Sequence, residues 1–579
     1  MKRLPRCAPA LFCLVGLLLL VAPAAAQDPG PFDLLIRGGH VIDGSGNPWF
    51  QADVGVRGGK IVAVGKLPDA TATRIIDARG KLIAPGFIDI HSHAAEGLAS
   101  PDPRRRAAPN VVTQGVTTVV VNPDGGGPLS TAEQKATLER LGIGVNALLM
   151  VPHNTVRREV LGEDYKRTAT PAEIARMQAL VRRGMQEGAF GLSAGLEYVP
   201  GIWSDTDELV ALVKEIVPFD GFYGVHERSG AGVPVWWLPS LDDPDNVGAK
   251  KFTLIDNANE LIEIAERTGA RVMQTHMKAK GEDFWGASHQ VIALINRARD
   301  RGLEVYGDQY PYTTSGSDGN VTLIPGWALG QERWSESAGR PTPDYREALR
   351  RTLSDPSKAE GLRRDIDFQT TYRGGARNIV VYDYPDPSYI GRSVAELAAE
   401  RGQTPAEFAI TMQLEGFPDR PGGARLRGFS FNEEDIEAIA SQPWVATASD
   451  GGISLPEDGP TTHPRYYGTF ARKIRRYALD RGVFSVEFAI RAATSLPAQI
   501  IGLRNRGMVR EGFAADLVVM DLSRVRDMAD FTDPHAFSQG FEFVLVNGEF
   551  VVDGDGHPTG RLAGVVVTPT EGRAAPSVP

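Results

Sequence analysis

Cysteine is nearly absent: Cys7 and Cys13 are the only two in 579 residues, and both lie near the N-terminus. The body of the chain therefore has no disulfides and no thiolate metal ligands. Positive charge is in deficit as well. The 62 Lys and Arg against 72 Asp and Glu leave a formal net charge of -10, which argues against a nucleic-acid partner and against an anionic membrane surface. Beyond the N-terminal segment no apolar run reaches the ~18 residues that a membrane helix needs. No internal repeat is visible.

The first residues are of another kind. MKRLPRCAP carries Lys2, Arg3 and Arg6, ALFCLVGLLLLVAP is apolar, and AAAQ closes the segment with small residues. This pattern predicts a secretory signal peptide over residues 1–26, cleaved after Ala26, and hence a periplasmic or secreted protein. Cys13 lies inside the apolar run, which speaks against a lipoprotein.

Residues 32–85 contain short β-rich runs punctuated by Gly-Gly and Asn-Pro, as in FDLLIRGGHVIDGSGNPWF. Residues 501–560 have the same texture in FAADLVVMDL and FEFVLVNGEF. Together they predict one small β-sandwich built from both chain ends. Between them, apolar strand-like runs alternate with helical stretches. Thr170 to Glu173 and Thr404 to Glu407 both read T-P-A-E, a capping box with proline at the first helical position. Such alternation predicts an α/β fold, a (β/α)8 TIM-like barrel over 86–500, with functional residues at the C-terminal strand ends. The stretch 311–443 is too long for one connection and reads as an insertion. Residues 561–579 read as a disordered tail.

GFIDIHSH, residues 86–93, ends a short strand in two histidines. Positions i and i+2 of a strand point the same way, so His91 and His93 suit two ligands on one ion. FYGVHE ends at His226, RVMQTHM near His276 and WVATASDGG at Asp450. Four strand ends offering imidazole and carboxylate predict a metal centre. Ligands of nitrogen and oxygen without sulfur suit zinc, as one or two divalent ions, with manganese, iron and cobalt as alternatives. Arg465, soon after Asp450, is a candidate for the mouth of the site. His153 and Arg157 read as braces of the third strand's end.

With these motifs the chain resembles the amidohydrolase superfamily and, more narrowly, the N-acyl-D-amino-acid deacylase (D-aminoacylase) family. The resemblance rests further on QGVTTVVV (114–121), PHNTVR (152–157), GAFGLSAGLEYVPG (188–201), THMKAKG (275–281), YPY (310–312), THPRYYGTF (462–470), TSLPA (494–498) and RGMVREGFAADLVVMD (506–521), and runs from about residue 32 to 555. It implies His91, His93 and Asp450 as ligands of one metal site and His226 and His276 as ligands of the other. Asp450 is implied as the catalytic base as well. Lys278 is implied as the grip on a substrate α-carboxylate, helped by Tyr310 and by Ser315 or Ser317, with Tyr198 in the pocket wall.

One departure stands out. Members of that family have a cysteine soon after TTVVV, whereas this chain reads TTVVVNPDGGG and places Asp124 there. Glu197, at the end of GLSAGLE, is the preferred carboxylate bridge between two cations, with Asp124 as a further ligand or an outer partner of one. The implied activity is hydrolysis of the amide of a small-molecule N-acyl-D-amino acid by metal-activated water, with Asp450 carrying the proton. A dipeptidase or cyclic amidase of the same superfamily is the alternative. An inactive binding protein on this scaffold is the second, since the cysteine is missing.

Overall fold

The computed structural model describes residues 31–241, 252–331 and 344–573. The expected signal peptide and both cysteines lie outside the described residues.

Eight parallel strands form the barrel. They are β1 Phe87–Asp89, β2 Val116–Val121, β3 Asn146–Leu149 (continued after Met150 by Val151–Pro152), β4 Gly191–Gly195, β5 Phe222–His226, β6 Arg271–Gln274, β7 Val305–Gln309 and β8 Val445–Thr447. Each pairs with its neighbour in chain order. The ring closes through a parallel bridge between Ser92 and Gly451. Every residue of β2, VTTVVV, is buried, as expected of a strand covered on both faces. Helices Pro171–Gln186 and Pro405–Glu415 begin at the two predicted capping boxes.

The two chain ends meet in one eight-stranded sheet that includes Phe32–Val41, Leu82–Pro85, Leu517–Met520 and Phe541–Val546. Its alternation shows what each face covers. Leu82, Ala84, Val518, Met520, Val544 and Val546 pack in one core with Phe87, Val116 and Val119 of the barrel. Ile83, Leu517, Val519 and Leu545 pack on the opposite face with Val54, Val56 and Phe513. One face thus anchors the sheet to the barrel, and the other closes the small domain's own core. Sheet pairing is continuous because the ten residues of Phe32–Val41 are long enough to pair with both Ala72–Asp77 and Leu82–Pro85 on one side.

The insertion between β7 and β8 has a separate core of Leu323, Leu349, Ile366, Val381, Leu397, Phe408 and Leu426. Its first turn, Gly316–Asp318, overlies the barrel mouth.

The C-terminal expectation is corrected. Over residues 561–573 there is ordered structure, not a disordered tail, while 574–579 lie outside the described residues: Val567 donates to the Ala147 carbonyl and Ala147 to that of Val565, each at 3.0 Å. Val566 and Val567 are buried. Thr568 caps the short helix Pro569–Gly572. GVVV is too short a run to read as a buried segment, and only the edge of β3 at Ala147 gives it a partner.

Candidate metal centre

The sequence places its polar groups at strand tips, and the barrel gathers those tips into one mouth. His91 and His93 leave β1, with the Asp450 amide donating to the His91 carbonyl at 3.0 Å and the His93 amide to that of Gly451 at 2.8 Å. His226 is the last residue of β5, His276 lies just past β6, Asp124 past β2 and Asp450 past β8. Asp124, His276 and Asp450 have φ of 55°, 35° and 48°. Left-handed backbone at three non-glycine residues costs energy, and such strain collects where structure holds functional groups in place.

Two sets of ligand atoms result. His91, His93, Asp124 and Asp450 form the first, and Asp124, His226 and His276 the second, with the atoms of each set within 4.8 Å of one another. Two donors about 2.1 Å from a tetrahedral ion stand roughly 3.4 Å apart. In the first set His91 Nε2 lies 3.4 Å from both Asp124 Oδ1 and Asp450 Oδ1, and His93 Nε2 lies 3.3 Å from Asp124 Oδ2 and 3.0 Å from Asp450 Oδ1. In the second, Asp124 Oδ1 is 3.7 Å from His226 Nδ1 and 3.8 Å from His276 Nε2. His91 Nε2 and Asp124 Oδ1 are buried and make no hydrogen bond. Buried lone pairs without a donor are what a divalent cation satisfies, so these residues fit one.

Asp124 belongs to both sets, which corrects the preference for Glu197 as the bridge. Glu197 lies outside both sets. Its Oε2 meets Nε2 of His226 at 3.3 Å, the ring nitrogen turned away from Asp124, and its Oε1 accepts from the Val235 amide at 2.6 Å. That is the position of a carboxylate that orients a ligating imidazole from behind. Glu197 is held on the far side of the His226 ring by the Val235 amide, whereas the left-handed turn after β2 carries Asp124 inward. Asp308 takes a like place behind His91, 3.7 Å from Nδ1, and accepts from the His276 amide at 2.6 Å.

Electrostatics hold two of these donors, Asp450 and His276, in the form that binds a cation. Burial raises Asp450, but the Arg465 guanidinium, at 2.9 Å from Oδ2, and the imidazoles of His91 and His93 hold it well below the usual carboxylate range. Burial and then the Lys278 ammonium push His276 well below the ordinary imidazole value, so its ring is neutral, as a ligand must be.

With the exception of His91, every predicted site residue lines a cavity of about 410 Å³. Tyr310 lies beneath Arg465, whose guanidinium is 4.6 Å from the ring centroid, and Tyr198 packs its ring 4.3 Å from that of His226. Lys278 Nζ contacts His276 Nδ1 at 2.7 Å and Glu227 at 3.1 Å. Ser315 and Ser317 both line the cavity, and a residue that sequence reasoning missed stands beside them. Lys280 donates to their hydroxyls at 3.3 and 3.2 Å and pairs with Asp318 at 3.3 Å. THMKAKG contains it, but the i+2 spacing from His276 favours Lys278. Glu227, Asp308 and Lys280 carry no distinguishing spacing and are found only through their burial beside the ligands. His153 and Arg157 brace the barrel as expected, both against buried Glu208.

The amidohydrolase family model matches residues 74–215 and 362–552. A D-aminoacylase of Alcaligenes xylosoxydans xylosoxydans is 32% identical over 94% of this chain and 99% of its own length. An N-acyl-D-aspartate deacylase of the same organism is 32% identical over 91% of this chain and 93% of its own. Among solved structures, an N-acyl-D-glutamate deacylase from Bordetella bronchiseptica, complexed with zinc and a phosphonate mimic of the tetrahedral intermediate, superposes with a TM-score of 0.68 at 28% identity, covering 93% of this chain and all of that one. The closed barrel, the strand-tip ligands and these matches agree: the chain belongs to the amidohydrolase family.

Proposed function

We propose that the protein is an exported, zinc-dependent N-acyl-D-amino-acid deacylase. The observation that carries the reading is the convergence of His91, His93, His226, His276 and Asp450 on the Asp124 carboxylate, beside a cavity containing Lys278, Lys280 and Arg465. The activities of the relatives support the choice of substrate, and the charged leader followed by a short apolar run supports export.

When bound, the cation supplies Lewis acidity and makes water a nucleophile at neutral pH. The chain does the rest. Asp450 takes the water's proton on its carboxylate and returns it to the leaving nitrogen, while Arg465 holds that carboxylate from Oδ2. Lys278, Lys280, Tyr310 and Ser315 fix the substrate's carboxylate, so that a single amide carbonyl faces the nucleophile. The products are a carboxylate and a free D-amino acid.

The test is the metal-loaded chain without residues 1–26, assayed on paired N-acyl-D- and N-acyl-L-amino acids, L,L-dipeptides and hydantoins, with metal content measured on the same sample. Turnover of the D-series with bound zinc is expected. Turnover confined to L,L-dipeptides or hydantoins defeats the reading, as does a chain that retains no metal.

A further inference from the structure

A second cavity, about 970 Å³, adjoins the metal centre. It meets the 410 Å³ cavity along a rim of His93, Pro123, Gly126 and Arg465, which line both. Both chambers hold carboxylates, and they differ in their cations. Lys278 and Lys280 are in the smaller one. Beyond the rim, the larger chamber's cation is Arg105, held by Asp458 at 2.7 Å. A substrate whose amide sits at the rim, next to His93, therefore has its carboxylate in the smaller chamber and its acyl group in the larger.

The walls of the larger chamber are polar. Ile453 is its one branched aliphatic side chain, and Glu96, Ser100, Tyr466 and the Arg105–Asp458 pair face the same space. An alkyl chain finds little there to bury against, while amide groups find donors and acceptors. An acetyl group fills a small part of this volume. Apart from the rim, the chamber's charged groups are Glu96, Arg105 and Asp458, a net negative set that favours an ammonium over a second carboxylate.

Resting on the deacylase reading above, we infer that the acyl group of the preferred substrate is aminoacyl or peptidyl, so that the enzyme releases a D-amino acid from the carboxyl end of a short peptide. Water adds to the carbonyl carbon, the C–N bond breaks, the shortened peptide leaves as a carboxylate and the D-residue takes the proton on its amine. Arg465, at the rim and ion-paired with Asp450, lies between the two ends of such a substrate.

The experiment compares kcat/KM of the metal-loaded enzyme for one D-amino acid bearing three acyl groups: acetyl, octanoyl and glycylglycyl. The glycylglycyl substrate is expected to lead acetyl by at least tenfold and to lead octanoyl as well. Ser100→Trp and Ala99→Phe, both of which narrow the chamber, are expected to cut the glycylglycyl-to-acetyl ratio at least fivefold. The ratio is taken within one protein, so a loss of folded enzyme cancels. Acetyl equal to or ahead of glycylglycyl, octanoyl in the lead, or a ratio unmoved by both substitutions overturns this inference and leaves the deacylase reading standing. Turnover of none of the D-substrates overturns both.

Discussion

At the scale of single residues, Asp124 and Glu197 separate two jobs a carboxylate can do. Asp124 shares its oxygens with both ligand sets, and Glu197 braces one imidazole from outside. Asp124→Ala removes the carboxylate common to both ligand sets and should lower the metal bound per chain, read by elemental mass spectrometry. Glu197→Gln should keep the stoichiometry and weaken affinity about 10–100-fold in a chelator competition. Asp450→Asn should lower kcat by a factor on the order of 10²–10⁴, measured on the best D-substrate. A pH effect follows from His226. Burial lowers its pKa, but the carboxylates of Asp124 and Glu197 more than offset this and raise it to about 8 in the metal-free chain. A folded value above the unfolded ~6.5 means that the imidazolium stabilises the fold below pH ~6.5 and that this is lost as pH rises through 8, about 2 kcal/mol in all. Melting temperature of the metal-free protein should fall across that window. The metal-loaded protein, whose ring is held neutral, should lack the fall.

At the scale of elements, the strand tips matter because the barrel is closed. The Ser92–Gly451 bridge brings the first and last tips together, though 359 residues separate them. One helix carries a cost of its own. Lys473 opens the π-helix Lys473–Asp480; its ammonium is buried, makes no hydrogen bond and stands 5.5 Å from the Phe484 ring. Burial pushes its pKa down to about 7. Unfolded lysine holds its proton to ~10.4, so between pH ~7 and ~10.4 the unfolded chain binds more protons and stability rises with pH. Lys473→Met should remove that rise and stabilise the protein at pH 7 by on the order of 3 kcal/mol, since methionine fills the site without a charge to desolvate. Chemical denaturation at pH 7 and pH 10 checks both effects.

At the scale of the whole molecule, the chain ends hold the barrel. Deleting 561–579 removes the pairing to Ala147 and the burial of Val566 and Val567. A loss of about 3–5 kcal/mol is expected from two buried valines, seen as a lower melting temperature with metal content retained. The eight strands, the two capped helices and the four histidines with Asp450 were all legible in sequence. Each is written in contiguous residues: an apolar run, a T-P-A-E start, a polar tip. The i, i+2 spacing of His91 and His93 is read as a shared direction, and both rings do reach Asp124, although the strand itself ends at Asp89. Which carboxylate joins both ligand sets was decided by tertiary structure, because Asp124 and Glu197 both follow strand ends, and only the closure of the barrel and the left-handed turn after β2 bring one inward and leave the other behind His226. The partner of Val565–Val567 and the place of Lys280 were decided in the same way: short-range pattern specifies an element and its faces, whereas a side chain's neighbours depend on what the folded chain places opposite it.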